Sequence, residues 1–246
     1  GMESMSVLER LSELLPALPP GLIEAWGQLV LFAVPVCLYL AAVVLPFVVL
    51  YGLIRAHFGR RSLLERCSRQ QARFANFLNW LFLGLSKVVP YETFPPLYQA
   101  GLYLSAGLLL GGTIIWTVVV AAWKPLRGWP VLHGFLAFLT GSSLACLPII
   151  GLILGRVALQ GTELPQENDL QTLIGLLLPS ASDPFWLYFG LIHFLEVASA
   201  GALGLFWLLV RRKIDDFGRD YYVFAANWCG EWAAWGGWFS LIMAGV

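Results

Sequence analysis

Long apolar runs separated by short polar turns set the pattern of this chain. A helix needs about 20 residues to cross a hydrocarbon core of ~30 Å. Six segments fit that length: residues 22–54, 73–89, 97–123, 131–154, 184–210 and 221–243. The first is longer than a crossing requires. The second is the shortest and carries Asn76 and Asn79. The fifth opens on Asp183-Pro184, an N-cap residue followed by a proline at the first helical position, which is a strong start signal. Ahead of the first run, Val7, Leu8, Leu11, Leu14 and Leu15 recur at helical spacing until Pro19-Pro20, so residues 1–21 read as a short amphipathic helix lying at the interface. Leu170 to Leu178 is apolar but too short to span, and predicts an interfacial or re-entrant helix. The expected fold class is all-α. It is a polytopic integral membrane protein with six transmembrane helices in three hairpins, forming one domain over residues 22–246.

Composition agrees with that pattern. Of the 246 residues, 59% are hydrophobic and 12% charged, about half the charged share of a soluble domain. Net charge is zero, which gives no electrostatic case for a nucleic-acid partner. The placement of the charges says more. Of the 15 Lys and Arg, 12 fall in three turns: residues 55–73, 124–127 and 211–219. Only Arg10, Lys87 and Arg156 lie opposite. The positive-inside rule then puts the turns in the cytoplasm and both termini outside the cell membrane. Membrane lipids are the expected partners, and the arginines of the first turn suit anionic headgroups. A second copy or a membrane-complex partner stays open.

Glu196 and Glu231 carry the sharpest functional expectation. Each lies within an apolar run, where the most polar side chains cost roughly 2.5–3.5 kcal/mol at mid-membrane on insertion scales. Glu196 is about 18 Å beyond Pro184 and Glu231 about 15 Å beyond Tyr221, at 1.5 Å per residue. Both therefore fall near mid-membrane on helices joined by a short turn. His193, Glu196 and Ser199 share one face of the fifth helix, and Asn227 and Glu231 share one face of the sixth. Two carboxylates in one dry pocket cannot both ionise cheaply. With His193 beside them they would form a proton relay or a cation site. Packing glue, a protonated Glu bonded across the helix pair, is the plainer alternative.

Other candidates are weaker. His57 and His133 sit at one predicted depth on different helices and could ligate a haem b, with nearby arginines pairing its propionates. They could equally be ordinary interfacial histidines. Pro35-Val36-Cys37 and Cys146-Leu147-Pro148 place one proline-flanked cysteine on each of the first and fourth helices. That placement resembles the six-helix membrane thiol carriers, which would make Cys37 and Cys146 a redox pair passing electrons outward. The order of proline and cysteine differs between the two stretches, and that family's glycine-rich surroundings are not matched. Trp228, Trp232, Trp235 and Trp238 form a stripe adjoining Glu231 that could bind a cation or a quinone ring. Phe58-Gly59-Arg60 recurs as Phe217-Gly218-Arg219, a faint sign of a duplicated hairpin. No phosphate-binding glycine loop, nucleophile elbow or H-E-x-x-H is present, so catalysis has little support. The leading expectation is movement of protons or a small solute. The alternatives are a haem- or quinone-interacting electron-transfer subunit and a structural membrane subunit.

Overall fold

A computed structural model describes residues 21–59, 61–160 and 170–245. The N-terminal segment expected to lie at the interface falls outside them. The protein is all-helical, 88% helix, with no strand among the described residues. In chain order the helices are α1 (Leu22–Gly59), α2 (Ser62–Leu85), α3 (Pro96–Ala121), α4 (Trp123–Leu126), α5 (Pro130–Gln160), α6 (Leu170–Leu177), α7 (Phe185–Arg211) and α8 (Arg219–Ala244). Two 3-10 turns, Ser86–Val88 and Tyr91–Thr93, link α2 to α3.

Among the described residues four helices are long and apolar enough to cross a membrane: α1, α3, α5 and α7. The other two long helices are diluted by charge and amide. α2 carries Glu65, Arg66, Arg69 and Arg73, and α8 carries Arg219, Asp220, Asn227 and Glu231.

The second helix differs from its expected bounds of 73–89. It begins 11 residues earlier, at Ser62, and ends at Leu85. Its first half is polar, so apolar content hides it, yet Arg, Gln and Leu are good helix formers. Leu64, Cys67, Gln71, Ala75 and Leu78 recur at helical spacing and are all buried. The first basic turn is accordingly tight, and Arg66, Arg69 and Arg73 ride on a helix rather than a loop.

α1 is the central post, packing against α2, α5 and α7. Ala41, Leu45, Val48 and Val49 fill its inner face. It stays helical through Pro35 and Pro46, whose missing N–H groups neighbouring helices can offset. α2 returns alongside it, with Gly52 backed onto Ser68 near the turn and Tyr39 edge-on to Phe82, centroids 5.7 Å apart. Against α5, the Phe47 ring lies over Gly141.

α7 and α8 form the closest pair. A Cβ on Gly201 would sit 2.6 Å from the Cys229 carbonyl oxygen and 2.8 Å from Ala233 Cα. A Cβ on Gly236 would sit 2.8 Å from Ala198 Cα and 2.9 Å from the Phe194 oxygen. Gly190 meets Met243 at one end, and Gly204 meets Cys229 toward the other. Small residues thus let the two backbones touch along most of their length, as in membrane helix pairs.

Arg156 closes the end opposite the basic turns. Its Nε donates to Asp183 Oδ2 at 2.8 Å and its Nη1 to the Leu176 carbonyl at 3.0 Å, tying α5 to α6 and to the start of α7. Asp183 Oδ1 accepts from Phe185 N–H at 2.9 Å, the capping role its sequence position predicts. That N–H, and then the Arg156 guanidinium, hold the Asp183 carboxyl below the usual carboxylate range. A depressed carboxylate stabilises the fold at pH above its ordinary value and loses that contribution as pH falls through the lowered one. Amide exchange at Leu176–Phe185 should therefore speed up only below about pH 4. Arg156→Gln should bring the faster exchange to neutral pH. Unchanged exchange in that variant would show that the tie does not hold the loop.

Candidate functional site

α7 turns Glu196, Ser199 and Ala200 inward. Glu196 is 2% exposed, and its Oε1 has no hydrogen-bond partner among the described residues. It lies within electrostatic reach of the Tyr39 hydroxyl of α1. His193 is half-buried, with Nδ1 2.8 Å from the Phe189 carbonyl oxygen and its ring 4.3 Å from the Phe189 ring. That side chain rests on the preceding turn of its own helix.

The expected meeting of Glu196 with Glu231 does not occur. Glu231 and Asn227 are exposed. The reason is the small-residue seam between the two helices. Cys229, Ala233 and Gly236 face α7. Glu231 stands two residues from both Cys229 and Ala233, about 200° around the helix from either, and so points away. The tryptophan stripe divides at the same boundary. Trp228 stacks on Tyr51 at 5.9 Å and Trp232 meets it edge-on at 5.6 Å, whereas Trp235 and Trp238 are exposed.

The largest cluster of other buried polar groups in the bundle is on α2. Ser68, Gln70, Gln71 and Asn79 are all buried, as is Thr113 of α3. Ser68 Oγ, Gln70 Nε2, Gln71 Oε1, both Asn79 amide atoms and Thr113 Oγ1 have no partner among the described residues. An unpaired buried polar group costs about 1–3 kcal/mol, so several together are a costly feature to keep in an apolar bundle. Their depths form a series. Ser68 lies at the level of Gly52, and Phe82 at that of Tyr39. Asn79, three residues before Phe82, therefore falls within about one turn of the Tyr39–Glu196 level. Tyr221 of α8 donates its hydroxyl to Gln70 Oε1, and Gln71 Nε2 is 3.6 Å from Cys229 Sγ. Apart from Asn79, sequence reasoning passed over this face. The helical recurrence of Ser68, Gln71, Ala75 and Asn79 was the signal that could have found it.

His57 and His133 both line a cavity of about 540 Å³ between the end of α1 and the starts of α2 and α5. His57 is exposed. His133 is 3% exposed, edge-on to Trp123 with centroids 4.5 Å apart, and its Nε2 is unpartnered among the described residues.

Cys37 and Cys146 are half-buried free thiols on α1 and α5. The pairing of Phe47 with Gly141 leaves them about one turn apart in depth. The thiols that share one buried cluster are Cys67 of α2 and Cys229 of α8. The faint likeness between the first and third basic turns was the only hint of that neighbourhood. In the structure Arg66 lies over the Phe217 ring at 4.8 Å. No group of three or more metal-ligating side chains occurs among the described residues.

Protein-family models, curated proteins and solved structures gave no match to the chain.

Proposed function

We propose that the chain crosses the cell membrane six times, in three hairpins with its basic turns cytoplasmic and both termini outside, and that it moves protons or a small cation on Glu196. The pairing of helices supports six crossings. α8 runs beside α7 from the Gly190–Met243 contact to the Gly204–Cys229 contact. A bilayer crossed by one is therefore crossed by the other. α2 likewise returns along α1 from Gly52 to Tyr39. In α2 Ser68, Gln70, Gln71 and Asn79 face the bundle interior, where composition alone does not reveal a crossing.

One observation carries the transport reading: a carboxyl group 2% exposed, in the middle of an apolar helix, with an oxygen left unpartnered. Intramembrane carboxylates facing a bundle interior mark ion and proton paths. The inward amides and hydroxyls of α2 would continue such a path toward the basic turns. Ion flux into liposomes holding the Glu196→Gln protein tests it. Flux equal to the parent's, or none in the parent, sinks the reading.

The exposed face of α8 favours a second reading, a subunit of a membrane complex. Asn227, Glu231, Trp235 and Trp238 form an uncovered face. A carboxylate there calls for a partner helix with a Lys or Arg at the same depth. Glu231→Leu should ease insertion of α8 by about 3 kcal/mol in a glycosylation-mapped insertion assay. The same variant should lower the native-gel mass of the protein in its own membrane. An unaltered native mass would remove this reading.

A further inference from the structure

We propose that the cavity beside His133 is a binding site for an acidic phospholipid, with the phosphate at its rim and an acyl chain along its outer wall. This does not rest on Glu196 or on transport.

Three features of the cavity point to an amphiphile with an anionic head. Its outer wall is apolar: Leu50 and Ile54 of α1 face Val131 of α5, and Val131 is 86% exposed. Its rim is basic, with Arg61 at the start of α2 and Arg127 at the end of α4. Glu65 is the opposing charge. It pairs with Arg127 Nε at 2.8 Å and leaves Arg61 as the net positive group. α2 itself opens here without a side-chain cap on its first turn, so free backbone N–H groups add to the positive rim.

The independent observation is His133. It lines the cavity, is 3% exposed, and has an Nε2 with no partner among the described residues. A buried imidazole nitrogen left unpaired is costly. A phosphate or ester oxygen entering from the rim would satisfy it. A soluble anion would have no use for the wall of Leu50, Ile54 and Val131. A lipid with no net charge would leave the positive charge of Arg61 uncompensated. A diacyl phosphate uses both.

The test is native mass spectrometry of the purified full chain, exchanged into detergent with equal phosphatidylglycerol and phosphatidylcholine. Retained phosphatidylglycerol should exceed phosphatidylcholine by about fivefold, given one net positive group at the rim. Arg61→Gln with Arg127→Gln should erase that preference. Val131→Trp fills the apolar wall at an exposed position, and should remove the bound lipid while the arginines remain. It keeps the test open if the double variant fails to fold. Equal retention of the two lipids, or a preference that survives both changes, overturns the site. Competition by millimolar inorganic phosphate would show a soluble phosphate compound to be the occupant, and a Soret band would show a haem held by His57 and His133. Either result overturns the lipid assignment.

Discussion

Gly236→Leu is expected to abolish the folded chain. The added Cβ would arrive 2.8 Å from Ala198 Cα and 2.9 Å from the Phe194 oxygen, and these are backbone atoms. Overpacking against side chains typically costs 1–3 kcal/mol because rotamers can give way. Backbone has no rotamer to change, so α7 and α8 must separate along a seam that runs from Gly190 to Gly204. A loss above about 4 kcal/mol follows, in the range reserved for gross packing failure. Gly201→Leu should behave the same way, since Cys229 O and Ala233 Cα stand 2.6 and 2.8 Å from its added Cβ. Gly237→Leu is the control one residue along. Nothing lies within 4 Å of a Cβ there, so the variant should stay within about 0.5 kcal/mol of the parent or gain slightly from helix propensity. Size-exclusion profiles and thermal midpoints in one detergent would read all three. Equal behaviour of the 236 and 237 variants would mean that the helices do not meet at this seam.

The same seam marks how far the sequence could be read. Helix positions were largely legible because runs such as residues 97–123 and 184–210 are apolar throughout, and their ends agree with α3 and α7 to within two residues. Asp183 was legible as a cap because its chemistry is local. The start of α2 was not, since Arg66, Arg69 and Gln71 look like loop to a measure that counts only apolar content, although their spacing is helical. The rotation of α8 was not legible either. Two acidic residues at one expected depth say nothing of azimuth. Azimuth is set by which small residues let the backbones close, and α8 offers several: Ala225, Ala226, Gly230, Ala233, Ala234, Gly236 and Gly237. Choosing Ala233 and Gly236 takes the partner helix. The separation of Glu231 from Glu196 follows directly from that choice. His57 and His133 line one cavity because each stands near a helix end beside a basic turn, where depth alone nearly fixes the neighbourhood.

With Glu231 turned away, the proposed transport rests on Glu196 without a second carboxylate, and that sharpens its expected phenotype. Glu196→Gln keeps the volume and hydrogen-bonding capacity of the side chain but cannot bind or release a proton. The fold should tolerate it, because an amide beside Tyr39 replaces a carboxyl whose Oε1 already lacks a partner. Flux through reconstituted protein should nonetheless fall by about 100-fold, the low end of what a positioned proton-transfer group contributes. Glu196→Asp should restore part of it, since the acid survives on a shorter stem. Glu231→Gln should leave flux near the parent's, as that side chain faces away from the bundle interior. Asn79→Ala, at nearly the same depth on α2, separates path from scaffold. If the α2 amides are part of the route, this variant lowers flux while the thermal midpoint stays level or rises, because two unpartnered buried atoms are lost. If they only pack, flux holds. A protein in which Glu196→Gln and Glu231→Gln carry the same flux as the parent would have no use for a proton at position 196. The buried carboxyl would then be read as a protonated hydrogen-bonding group between α7 and α1.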